Sequence, residues 1–544
     1  MKIYKFVLLC IVLLKSVTGK RDQQVVQEQQ KRSLTNKQLQ ILLVYDEDFE
    51  QNRAFPKIKK ALQSASSYWE KTLKVKIDSE KPVHFRRECT NDGHLVEMKN
   101  NNPSCVNSYC KQDREIQGVR IPNKYLSSCY HQGKEKYGIV YSQGTGLAPN
   151  QLLIIVADSS RTQSDKCTHV RGELVDTHPS TGRPILGVLN YCLPEKESIT
   201  ISDDILVNVM KHEMAHILGF HPSIFESQKM KSVKIPSVQN ITLSWLSTKG
   251  TYKIQKKILS LPKMLKEARE HFDCSQLQGI ELDENHLSHR VMGNDLMTPY
   301  LLESNRVSRI TLAYFEDINM YDVDYSMADD FKWGKGLGCD FVLKSCYEYI
   351  KDRKSRGQDI EPYCGIPNEP KCAGYENGVG ICALYQHDNQ LDEKYQYMDN
   401  LFPFNDTQKR KYGGHMAFDY CPVLIVQSDE HNKSYLCEQK SEIKPDSISN
   451  MFMEYRGPNS ACFNDQKQTY VNISGTNIDK KKPSCHKFQC SKNTGVLVIF
   501  NDKAFQCPVE GGPLHIEQQV GNGNVLIDIQ CPKCTSLCKE YCPK

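Results

Sequence analysis

Apolar residues recur along this chain in two rhythms, and the places where the rhythm changes mark its parts. Leu39 to Tyr45 is a short apolar run of strand type. From Ala54 to Leu73 the spacing becomes helical: Ile58, Leu62, Ala65, Trp69 and Leu73 fall on one face of an amphipathic helix. Residues 80–150 break into turns around Cys89, Cys105, Cys110 and Cys129, which predicts a loop-rich region stapled by disulfides. Gln151 to Ala157 reads as a buried strand, and Pro184 to Tyr191 leads toward Cys192 and a helix. That helix starts with Ser202, Asp203 and Asp204, which supply an N-cap and early negative charge. Ile205, Leu206, Val209, Met210 and Ile217 then repeat at three- and four-residue steps.

From Pro222 to about Asp330 the pattern reads as more helical. Lys256–His271 is one predicted helix. The stretch from Ser304 to Tyr321 is another, with Ile310, Leu312, Ala313 and Phe315 on its buried side. After Trp333 long periodic segments become rare and cysteines frequent: 15 of them fall between Cys339 and Cys542. A boundary near Gly334–Gly338 therefore separates a disulfide-rich module, and no strict internal repeat appears. The whole predicts an α+β chain.

Length and charge narrow the class. At 544 residues the chain holds several domains, and 39% hydrophobic residues with a mean hydropathy of −0.55 describe a soluble globular protein. A net charge of +5 without any basic stripe argues against a nucleic-acid partner. Lys2 and Lys5 precede the apolar run Phe6–Leu14, followed by Ser16, Val17, Thr18 and Gly19, so residues 1–19 read as a signal peptide and 20–38 as a flexible leader. No later segment has the length of a membrane span, and no lipid-anchor signal ends the chain. Cys10 lies in the signal peptide, and the remaining 22 cysteines are an even number, as in the disulfide framework of an exported protein. Sequons at Asn240, Asn405, Asn432 and Asn472 fit the same compartment. For Cys531 and Cys534, bridges are expected in preference to a metal. The expected address is secreted, cell-surface or endomembrane lumen.

The chemistry concentrates in HEMAHILGFH, His212 to His221. His212 and His216 are four apart, so on a helix both imidazoles share one face at the spacing two ligands of one zinc ion need. Glu213 is placed as the base toward a water on that metal rather than as a ligand. Gly219 lets the helix stop and the chain turn back. A catalytic zinc needs a third protein ligand. The short pattern HExxHxxGxxH would put it at position 222, where this chain has Pro222. His221 is one residue early, so a third ligand is expected far downstream.

HEMAHILGF, then NHLSHRVMGNDLMTP, SRITLAYFEDINMY and a WG…GC segment together resemble the leishmanolysin family, surface zinc metalloproteases of the metzincin clan. The resemblance covers roughly residues 40–345. It implies a third zinc His eleven residues before the Met of a Met-turn; counting back from Met297 reaches His286. Arg290 and Leu296 match the family pattern, Asp295 stands in place of Glu, and Leu287 and Ser288 depart from it. His289 is the nearby competitor. Met297 would be an apolar floor under the zinc, not a ligand. Tyr300 stays open between an oxyanion donor and an ordinary surface residue.

The resemblance implies a metzincin-like catalytic domain split by an inserted central domain and followed by a Cys-rich C-terminal domain. The expected bounds are 39–222 for the N-terminal catalytic half, 223–335 for the central domain with the third His, and 336–544 for the last. It implies a zinc endopeptidase acting on protein or peptide substrates, with Glu213 catalytic and His212, His216 and His286 holding Zn2+. The alternative is an inactive, zinc-bearing adhesion or binding protein of the same fold. The family's propeptide cysteine switch is not expected, because no Cys lies between Gly19 and Cys89.

Overall fold

The computed structural model describes residues 37–543 apart from several short stretches, the longest being 160–168, 227–236, 399–408, 427–435 and 440–451. The signal peptide, most of the leader, Asn405 and Asn432 lie outside the described residues. The leader's last two residues, Lys37–Gln38, form a strand paired with Leu73–Val75.

The chain divides into two compact units. The first comprises residues up to 195 together with 213–221 and 318–327. Its centre is a four-stranded sheet in the order Arg171–Thr177, Pro184–Tyr191, Gln151–Asp158, Gln40–Tyr45. Gln151–Asp158 runs parallel to both neighbours and is buried from Leu152 onward, which is why it reads as an unbroken apolar run. Arg171–Thr177 is antiparallel and forms one edge. The helix Phe55–Thr72 starts with Pro56 in its first turn and buries Ile58, Leu62, Ala65 and Trp69, the stripe its spacing predicts. Cys89–Cys105 and Cys110–Cys129 staple the loop-rich region, and Cys192 is disulfide-bonded as well.

The second unit comprises residues 196–212, 222–317 and 328–544. Here the pattern misled. The stretch expected to be more helical contains a long antiparallel hairpin, Val238–Ser247 with Gly250–Leu259, which Ile280–Asp283 and His286–Leu287 extend to four strands. The helix expected over 256–271 is Pro262–Phe272, and its first part is strand. The physical reason lies in Thr251, Lys253 and Gln255, which point to solvent in alternation with a buried Ile254. A period of two outweighs helix-forming lysines once one face is covered. Asn240 is an exposed residue of this hairpin. Pro262–Phe272 packs against Arg309–Asp317, the ordered core of the helix expected from Ser304.

The Cys-rich stretch also holds more regular structure than its periodicity suggested. A seven-stranded antiparallel sheet includes the long strand Ser460–Asn472 and encloses Phe463, Val498, Phe500, Val525, Ile527 and Ile529. Among the described residues eight disulfides tie this unit, including Cys274–Cys339, Cys346–Cys421, Cys507–Cys531 and Cys534–Cys542. Cys531 and Cys534 are thus bridged, as expected. Among the described residues no helix is long and apolar enough to cross a membrane.

Candidate metal centre

HEMAHIL ends one unbroken helix, Asp203–Leu218. At its start the Ser202 hydroxyl accepts the Ile205 N–H at 3.2 Å, the expected N-cap. At its end Gly219 has φ 124°, the Gly219 N–H reaches the His216 carbonyl at 3.1 Å, and the Phe220 N–H reaches the Ala215 carbonyl at 2.9 Å. These are the paired bonds of a Schellman cap, which needs a positive φ at its glycine. The cap does more than end the helix. It turns the Phe220 carbonyl back onto His216, whose Nδ1 donates to it at 2.7 Å.

His212 has a matching tether: its Nδ1 lies 2.6 Å from the Leu296 carbonyl. A carbonyl only accepts, so in both rings Nδ1 carries the proton that is donated. Burial, with the neighbouring His286 second, pushes His212 down to about 3, so the ring is neutral. An imidazole whose Nδ1 is tethered to a carbonyl offers Nε2 as the nitrogen a divalent metal takes.

His286 begins the short strand His286–Leu287 after a two-residue turn in which Glu284 takes φ 52°. Its ring stacks on that of His212 with centroids 5.2 Å apart and 14° between planes. One ring nitrogen from each of His212, His216 and His286 lies within 4.8 Å of the other two. The donor set fits a metal ion.

His221 and His289 stand outside this group. His289 is fully buried, with both nitrogens engaged: Nδ1 donates to the Gly293 carbonyl at 2.9 Å and Nε2 accepts the Tyr300 N–H at 3.0 Å. No lone pair remains for a metal. Its role is to brace the turn that follows. In that turn Met297 is fully buried, and its carbonyl takes the Leu287 N–H at 2.8 Å, one residue from His286. Asp295 accepts the Met297 N–H at 2.8 Å and the Thr311 hydroxyl. Burial raises its carboxyl to about 6 against these donors. Tyr300 turns its side chain outward, at 56% exposure, and stacks on His289.

Glu213 follows His212 on the helix. Its carboxylate is half-buried and accepts the Gly172 N–H at 2.6 Å, from the edge strand Arg171–Thr177. Burial raises it to about 8, while the Gly172 bond and Arg171 pull it down. Sequence reasoning missed Gly172. A Cβ there would sit 2.2 Å from the Glu213 carbonyl oxygen, so only glycine lets the strand approach so closely. Gly187, on the neighbouring strand, plays the same part against Ile217, also at 2.2 Å. Two glycines inside strands preceding the HExxH helix were the available signal.

A family model described as Leishmanolysin matches residues 171–543. A leishmanolysin-like peptidase of Drosophila pseudoobscura pseudoobscura is 27% identical over 569 residues, covering 94% of this chain and 82% of its own length. One of Caenorhabditis briggsae is 26% identical, covering 89% and 80%. The leishmanolysin of Leishmania major is 26% identical over 260 residues, covering 46% of this chain and 38% of its own.

Proposed function

The chain belongs to the leishmanolysin family of metallopeptidases, and from that premise we propose that it is a zinc-dependent endopeptidase, secreted or held at a cell surface or in an endomembrane lumen. His212, His216 and His286 hold the zinc, and Glu213 is the catalytic base. The observation that carries the reading is the convergence of three imidazole nitrogens, with Glu213 adjacent to His212 in the same helix. A zinc ion there would supply Lewis acidity, polarising the scissile carbonyl and acidifying a water.

The chain's own groups do the rest. The Leu296 and Phe220 carbonyls orient two of the rings. Glu213, raised by burial, takes a proton from the attacking water and returns it to the leaving amine. The Gly172 N–H holds that carboxylate in place. The outer side of the edge strand Arg171–Thr177 offers main-chain groups with which an extended peptide can pair. Met297 serves as apolar packing near the ligands. Export is supported by the ten disulfides between described residues and by the exposed sequon at Asn240. The division into 39–222, 223–335 and 336–544 belongs to the same reading.

The test compares wild type with Glu213→Ala on casein or a quenched fluorogenic peptide, with and without chelator. The expected result is a chelator-sensitive wild type and a variant slower by about 10²–10⁴-fold that retains one zinc per chain. Equal, chelator-insensitive rates for both proteins would overturn the reading. No cleavage by a zinc-loaded wild type would favour an inactive binding protein.

A further inference from the structure

We infer that a buried four-charge network of Glu281, Arg290, Lys256 and Asp419 is the positioning device of the third metal ligand, and that the Cys-rich stretch supplies one of its members. The inference rests on the zinc reading above.

His286 sits on slender support. Its strand is two residues long and, among the described residues, its ladder runs through Asp283↔His286 and Leu282↔Leu287. So short a ladder does not hold its own register. Glu281 and Arg290 flank it, nine residues apart, and their side chains are hydrogen-bonded to each other. The pair closes the loop that carries the ligand. The Ser288 N–H on the Glu281 carbonyl at 2.9 Å and the Leu287 N–H on the Met297 carbonyl at 2.8 Å complete the frame.

Arg290 is fully buried. Its guanidinium donates to the Phe341 carbonyl at 3.1 Å and the Val342 carbonyl at 3.0 Å, while Nε faces Asp419 at 3.3 Å. Lys256 Nζ meets both Asp419 oxygens, at 2.8 and 2.7 Å, and lies 3.4 Å from Glu281. Trp245 is a wall shared by both cations, with Lys256 4.9 Å and Arg290 4.8 Å from its ring. Two cations and two carboxylates balance, which is the condition for such a group to stay buried and ionised. A fork of fixed donors suits this junction, and a lysine at position 290 would not reproduce it. Asp419 is two residues from Cys421, which is bridged to Cys346, close in sequence to the carbonyls that Arg290 grips. The segment bearing His286 is therefore fastened to residues 341–342 and 419.

The experiment uses the full chain. Zinc affinity is measured by competition with a chromophoric chelator, and the visible spectrum of the cobalt(II)-substituted protein reports ligand geometry. Glu281→Gln and Asp419→Asn should bind zinc about 10- to 100-fold more weakly and alter the cobalt spectrum while near-ultraviolet dichroism stays native. Asp419→Glu should recover most of the affinity. Val498→Ala, in the separate core of the large C-terminal sheet, should lower stability and leave affinity unchanged. Folded Glu281→Gln and Asp419→Asn with wild-type affinity and spectrum would overturn the inference. Should those variants not fold, hydrogen exchange on metal-free wild type decides. Protected Leu287 and Ser288 amides support a frame set by the network, and unprotected ones refute it. His286→Ala separates the two readings, since undiminished zinc binding there would sink the ligand assignment itself.

Discussion

Gly172→Ala adds one methyl group at a tight approach to Glu213, the proposed base. The new Cβ would lie 2.2 Å from the Glu213 carbonyl oxygen, 2.8 Å from its carbonyl carbon and 3.1 Å from its Cα. Ordinary van der Waals contact begins near 3.4 Å, so strand and helix must part by about 1.2 Å. All three neighbours are backbone, and no rotamer change relieves them. Overpacking of this kind costs about 1–3 kcal/mol of stability. A displacement near 1 Å at a reacting group costs about 10²-fold in rate, or about 2.7 kcal/mol of barrier. The methyl also strains the 2.6 Å bond from the Gly172 N–H to the carboxylate. The expected variant keeps its zinc, loses about a hundredfold in kcat/KM on a fluorogenic peptide, and unfolds at lower urea. A Gly172→Ala protein within threefold of wild-type kcat/KM and unchanged in urea would show that this close approach does not govern the base.

His286→Ala should empty the metal site, whereas His289→Ala should lower stability and retain close to one zinc per chain by atomic absorption. Unfolding should depend on pH through His289. Burial depresses its folded value to about 4 against 6.5 unfolded, so its contribution is whole above 6.5 and is lost as pH falls toward 4, a change of ~3 kcal/mol. Asp295, raised by burial to about 6, acts in the opposite sense between about 4 and 6, so the slope is isolated by comparing urea curves of wild type and His289→Gln. Gly219→Ala removes the residue that takes φ 124° in the Schellman cap. It should cost about 1 kcal/mol and weaken zinc binding, because the Phe220 carbonyl leaves His216. Chelation should lower the thermal midpoint of the oxidised protein while far-ultraviolet dichroism below the transition stays unchanged.

Half of the site was legible because it is local. His212, Glu213, His216 and Gly219 lie within two turns of one helix, and helix geometry alone puts the rings on one face. The strand Gln151–Asp158 and the helix Phe55–Thr72 were legible for the same reason, since each carries a full period of its pattern. His286 came only from a family resemblance, because no periodicity links it to residues some seventy positions earlier. The tethers of the rings, the Leu296 and Phe220 carbonyls, were not readable, since any backbone carbonyl has the same chemistry and only folding selects one. The hairpin Val238–Leu259 was misread because its lysine-rich outer face imitates a solvated helix. Arg290 matched a pattern without a reason, which lies in residues 281, 341 and 419.

The bond between His212 and Leu296 spans 84 residues. During synthesis the HEMAHILGFH segment emerges well before that acceptor exists, with the first imidazole free in tautomer and orientation. The tether that fixes this ring therefore cannot form from the signature motif alone. The orientation of His212 seen in the folded chain waits for residue 296 at the earliest.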